Sequence, residues 1–129
     1  MNKRREEGYT LMEITVVILI IGILFSLAVI SYTGVRNSGF DTEAKTNLHS
    51  GVTAAHVYYT DHDSSYKNMS AVELAEVAKG VNFRDGDVNS NNDVYVSNTT
   101  DNGFILSCRS ASGIVFQATG TGLNILYNY

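Results

Sequence analysis

Seventeen residues, Ile14 to Ile30, carry no charged side chain, and a single carboxylate, Glu13, stands immediately before them. The run is at the short end of the ~17–25 residues that span a bilayer as a helix. A helix apolar on every side is buried in a membrane, in a bundle or in the core of a large protein. A chain of 129 residues has no large core to offer it. The carboxylate is the costly element: on insertion scales a charge at the membrane centre costs ~2.5–3.5 kcal/mol, and less near an interface. A sequence that keeps such a charge needs a partner for it. Lys3, Arg4 and Arg5 precede the run, and the next charge after Glu13 is Arg36. The positive-inside bias therefore expects the N-terminus in the cytoplasm and the remainder outside.

Three N-terminal readings compete. A cleaved secretory signal has a basic start, a short apolar region and a small-residue cleavage site. Here Glu13 interrupts the apolar stretch and no A-x-A-like site follows it. A plain single-pass anchor explains the hydrophobicity but not the start Gly8-Tyr9-Thr10-Leu11-Met12-Glu13. That start resembles the class III signal of type IV pilins and of the pseudopilins of type II secretion. The resemblance covers about the first third of the chain. It implies a leader over residues 1–8, cleavage by a prepilin peptidase between Gly8 and Tyr9, and N-methylation of the amine freed at Tyr9. It also makes Glu13 the family's acidic assembly residue. The expected organisation is a leader (1–8), a transmembrane and polymerisation helix (9–30) and a head domain (31–129). The family often carries a proline where Ile30 stands, and this chain contains none.

Without leader and anchor about 100 residues remain, enough for one modest core. The formal charge is −4, and the leader holds three bases and two acids, so the rest carries −5. A nucleic-acid binder would show a basic patch instead. Cys108 is the only cysteine. The disulfide that closes a C-terminal loop in many pilins cannot form within this chain. Cys108 reads as a small apolar residue of a strand, the alternative being an intermolecular bridge.

Residues from about Thr10 to Thr60 read as one helix, roughly 75 Å long at 1.5 Å per residue. Gly22, Gly34, Gly39 and Gly51 each weaken it locally, by about 1 kcal/mol relative to Ala. In its second half Ala44, Leu48, Val52, Ala55 and Tyr59 form one stripe, with Asp41, Glu43, Lys45 and Asn47 off it. Asp61 to Ser65 are turn and cap formers that end the helix. The segment Tyr58 to Tyr66 also resembles, more loosely, the one that closes the long helix in many pilins. Ser70 and Glu73 are spaced as a capping box for a short helix over 71–78, with Leu74, Val77 and Ala78 as its apolar face and Gly80 as its end. Four strands follow, at 93–96, 104–109, 114–119 and 123–129. Asp101-Asn102-Gly103, Ala111-Ser112-Gly113 and Gly120-Thr121-Gly122 separate the last three and precede them. The expected fold is α+β and pilin-like: one long N-terminal helix packed on a small antiparallel meander.

No catalytic constellation is visible. His49, His56 and His62 lack metal-site spacing and read as solvated helix residues. Aromatics such as Phe25, Tyr32 and Phe40 read as packing residues. Side-chain oxygens recur at Asp85, Asp87, Asn89, Asn91 and Asp93, an alternation that suits Ca²⁺. Ser90 replaces the sharp-turn Gly of an EF-hand and Val96 its bidentate Glu. A plain Asn/Asp-rich loop explains the same composition. Calcium is thus the one cofactor candidate.

The chain therefore reads as a structural subunit, not an enzyme. It is expected to sit in the inner membrane as a precursor and then to polymerise through its helix into a helical surface pilus. The resemblance implies an assembly ATPase and a platform protein as partners beside the peptidase. A pseudopilin of a secretion or DNA-uptake system and a non-polymerising tethered binding domain are the alternatives.

Overall fold

The computed structural model describes residues 9–129, which divide after Arg36 into two compact units, the second being Asn37–Tyr129. The elements are α1 (Leu11–Asp61), α2 (Ala71–Val77), β1 (Phe83–Asp85), β2 (Val94–Ser97), β3 (Gly103–Arg109), β4 (Val115–Thr121) and β5 (Asn124–Asn128). The long helix thus forms as its periodicity predicts, unbroken by proline.

In the first unit α1 is exposed throughout its described residues. The thirteen large apolar side chains between Ile14 and Ile30 are each 46–70% exposed. Full burial of one such side chain is worth ~1.5–3 kcal/mol, so a helix of this kind seeks lipid or other helices. It is long and apolar enough to cross a membrane.

The second unit packs the remainder of α1 on a five-stranded sheet in sequential order β1-β2-β3-β4-β5. The sheet is mixed, which corrects the expected all-antiparallel meander. β1 pairs in parallel with β2, Phe83 beside Val94, whereas β2, β3, β4 and β5 pair antiparallel. Phe83-Arg84-Asp85 is too short and too polar to show the alternation by which a strand is recognised.

Alternation is clear in β3 and β4. Phe104, Leu106 and Cys108 on one, and Phe116, Ala118 and Gly120 on the other, point inward. They meet Ala44, Leu48, Val52, Ala55 and Tyr58 of α1 in one core. The predicted stripe is shifted at its end, because Tyr58 is buried while Tyr59 is only partly so. Gly51, expected merely to weaken the helix, marks its closest approach to the sheet. A Cβ there would lie 3.1 Å from Val94 Cγ1 and 3.2 Å from Leu106 Cδ1. Gly120 is tighter still, since a Cβ would lie 2.2 Å from the buried Phe104 ring. It belongs to β4, so the turn expected at 120–122 falls later, around Gly122 with φ +59°.

The segment between the helices is anchored by Tyr66, which is fully buried. Its ring stacks on Tyr59 (4.5 Å between centroids) and meets Phe104 edge-on (4.7 Å). Its hydroxyl donates to the Gly122 carbonyl at 2.5 Å, and its amide donates to the Asp101 carbonyl at 3.1 Å. At the start of α2 the Ser70 amide donates to Glu73 Oε2 at 2.7 Å and the Ser70 hydroxyl donates to the same carboxylate. The expected box is therefore in place. The buried face of α2 is Ala71 and Leu74, while Val77 is exposed and Gly80 turns the chain at φ +100°. Cys108 is wholly buried, and burial, followed by the charges of Asp93 and Glu43, pushes its thiol up to about 11. A thiol so placed suits packing, not a bridge to another chain.

Candidate functional site

Glu13 is the third residue of α1, and Thr10 stands just before the first. The Thr10 amide donates to Glu13 Oε2 at 2.8 Å, and the Thr10 hydroxyl donates to the same oxygen at 2.9 Å. In return the Glu13 amide donates to Thr10 Oγ1 at 3.2 Å. This is a reciprocal capping box. It satisfies two backbone donors that a helix start otherwise leaves open. The helix dipole further favours an anion at this end. The carboxylate beside the apolar run therefore has a partner inside its own subunit. The T-x-x-E spacing at Thr10-Leu11-Met12-Glu13 was legible in the sequence. Tyr9 is exposed beside the box. Gly8, the other side of the expected cleavage bond, lies outside the described residues, as do residues 1–7.

Of the five candidate calcium ligands, Asp85, Asp87, Asn89, Asn91 and Asp93, three have hydrogen-bond partners within the protein. Asp85 lies in β1, where its carboxylate accepts from the amide of Ala71, the first residue of α2, at 2.8 Å. Asn89 Oδ1 accepts from the Tyr95 hydroxyl at 2.6 Å, and the Ser90 amide donates to the same hydroxyl at 3.0 Å. Asp93 Oδ2 accepts from Ser90 Oγ at 2.5 Å and from Arg84 Nε at 2.6 Å. Burial pushes the Asp93 carboxyl up, but the hydrogen bonds from Ser90 and Arg84 and the Arg84 charge outweigh it and leave it below the usual range. Asp87 and Asn91 are exposed. The segment thus covers Tyr95, a β2 residue only 1% exposed. Among the described residues no group of three or more His, Cys, Asp or Glu side chains is placed to hold a metal ion. A cation here would compete with these donors for Asp85, Asn89 and Asp93. The melting temperature of the chain is therefore expected to be the same in millimolar calcium and in excess chelator. A fall on chelation would show that the oxygens are surrendered to a metal, because a ligand of the folded state raises stability.

Polar residues beside the helix stripe tie α1 to the sheet. Ser112 Oγ donates to Asp41 Oδ1 at 2.5 Å, and Asn47 Nδ2 donates to the Asn92 carbonyl at 3.0 Å. Hydrogen bonds from Ser110 and Ser112 hold the Asp41 carboxyl below the usual range. The histidines are not simply solvated. His62 stacks on Tyr58 at 3.9 Å, and His49 lies 3.0 Å from the Tyr127 hydroxyl and 2.9 Å from that of Tyr129. Periodicity assigns His49 to the surface but says nothing of its partners 78 and 80 residues away.

The family model described as "Prokaryotic N-terminal methylation motif" matches residues 3–29. Over 59 residues, 46% of this chain, the sequence is 36% identical to the type IV major pilin protein PilA of Myxococcus xanthus (strain DK1622). Over 63 residues, 49% of this chain, it is 36% identical to the type II secretion system core protein G of Aeromonas hydrophila. The matches span 27% and 44% of those relatives' lengths. Neither relative is named as an enzyme. No solved structure matches at comparable significance.

Proposed function

We propose that this chain, a member of the type IV pilin and type II secretion pseudopilin family, is a structural subunit that polymerises through residues 14–30 into an extracellular pilus. The precursor sits in the membrane and is cleaved between Gly8 and Tyr9 by a prepilin peptidase, and the Tyr9 amine is methylated. An assembly ATPase and a platform protein then extract it. In this role the work of the chain is self-association. The observation that carries the reading is the pairing of an exposed, uncharged and largely apolar helical run, residues 14–30, with one carboxylate, Glu13, held at its start. Such a helix is satisfied by lipid before assembly and by copies of itself afterwards. Repeated head-to-tail contacts of that kind do not close, and they give open fibres.

A pseudopilin of a secretion machine is the second reading, because the Aeromonas and Myxococcus proteins are matched at equal identity. One experiment separates the readings. Cells are sheared, and the subunit in the surface fraction is measured by intact mass. A pilus subunit is abundant there, starts at Tyr9 and carries one added methyl group. A pseudopilin reaches that fraction only on overexpression, and a tethered domain never does. A mature chain that starts within residues 14–30, or beyond them, overturns the family's processing for this protein.

A further inference from the structure

β5 is an edge strand that pairs only with β4. Of its residues only Ile125 packs on the core, and Leu126 is 77% exposed. A strand with so little apolar burial belongs to the low-stability end of a structure and opens locally. No disulfide within the chain can hold it, because Cys108 is the only cysteine. From α1 two polar side chains reach this end of the chain, His49 and Lys45, and His49 makes the hydrogen bonds. His49 Nδ1 is 3.0 Å from the Tyr127 hydroxyl, and His49 Nε2 is 2.9 Å from the Tyr129 hydroxyl. The Tyr127 and Tyr129 rings stack at 5.5 Å, and the Tyr129 ring meets Phe116 edge-on at 5.9 Å. One turn before His49, Lys45 Nζ lies 4.7 Å from the Tyr129 ring centroid and 5.0 Å from that of Phe116.

Two periodicities converge here. Residues two apart on a strand share a face, as do residues four apart on a helix. Tyr127 and Tyr129 thus face Lys45 and His49. Neutral imidazole offers one donor and one acceptor, and a tyrosine hydroxyl serves as either. Both bonds therefore form with either tautomer.

We infer that His49 is a latch that clasps the edge strand β5 to α1 through Tyr127 and Tyr129, and that the strand can be released without unfolding the rest of the sheet. Release would bare the β4 edge over Gln117–Thr121, the residues that β5 now pairs. An unpaired edge is a template for strand addition from another chain. The latch thus keeps the head domain closed to such pairing, whatever the chain assembles into.

Hydrogen exchange read by mass spectrometry on the full chain in detergent micelles tests this. His49→Phe keeps an aromatic ring but removes both nitrogens. It is expected to speed exchange across residues 124–128 about tenfold, the scale of one or two lost net hydrogen bonds, and to leave β3 unchanged. The double variant Tyr127→Phe with Tyr129→Phe removes the hydroxyls, keeps the rings and should act in the same direction. His49→Gln, whose amide has both a donor and an acceptor, should fall between wild type and His49→Phe. Unchanged exchange in β5 in both His49→Phe and the double variant overturns the latch. An equal rise in β3 and β5 also overturns it, because the contact would then support the whole domain and not the strand.

Discussion

Glu13→Ala is expected to abolish filaments, or nearly so, while the subunit still enters the membrane and is still cleaved. Once assembled, Glu13 would lie among apolar helices, where an unpaired charge is strongly disfavoured. In the free subunit Thr10 donates to it twice. The positive group nearest to hand is the amine freed at Tyr9, of the same or an adjoining subunit. Pairing with it would offset part of the desolvation cost and set the axial register of an incoming subunit. A buried pair costs about as much as it returns, so its worth lies in specificity more than in net stability. The capping box allows charge and helix start to be separated. Glu13→Gln retains a side chain that serves at this position of the box but loses the charge. Thr10→Val loses the hydroxyl and keeps the charge. If charge drives assembly, the Gln variant should yield few or short filaments and the Val variant should assemble. The opposite ranking would assign the work to the box. Normal yield and length from both Glu13 variants, by microscopy of sheared fractions, would remove Glu13 from assembly and restore the plain membrane anchor.

Tyr66→Ala should be among the most damaging changes to the head domain, costing about 3–5 kcal/mol, as aromatic truncations in cores do. The ring is fully buried between Tyr59 and Phe104, and its hydroxyl satisfies the Gly122 carbonyl. One residue therefore joins the segment after α1 to the β4–β5 turn. Tyr66→Phe keeps the ring and loses only the hydrogen bond, so about 0.5–1.5 kcal/mol is expected. For a domain of this size each kcal/mol moves the midpoint by about 4–8 °C, so thermal melts followed by near-UV circular dichroism resolve both variants. An alanine variant that melts within a few degrees of wild type would show that this ring does not anchor the segment.

The sequence alone determined the parts of this protein governed by local periodicity. The apolar run from Ile14 to Ile30 and the stripe at Ala44, Leu48, Val52 and Ala55 each declare a helix and its environment. Ser70 with Glu73 marked the start of α2, and Gly-containing turns marked the strands. Each signal lies within a few residues of the structure it specifies, because helix and hairpin geometry are set by neighbours three, four or two positions apart. The capping box at Thr10 and Glu13 belongs to the same class and was legible by the same rule.

Tertiary structure decided the rest. β1 became a strand, and a parallel one, only because β2 lay beside it; three residues, one aromatic and two charged, are too few to carry a period of their own. Asp85, Asn89 and Asp93 took up Ala71, Tyr95 and Arg84 as partners that composition alone does not name. His49 found two tyrosines 78 and 80 residues away. In each case the partner is chosen by the sheet register and by the seating of α1 on the sheet. Those depend on the packing of Gly51 against Val94 and Leu106 and of Tyr66 against Phe104. Contacts between residues so far apart in the chain exist only once the core has closed, which is why no local pattern announces them.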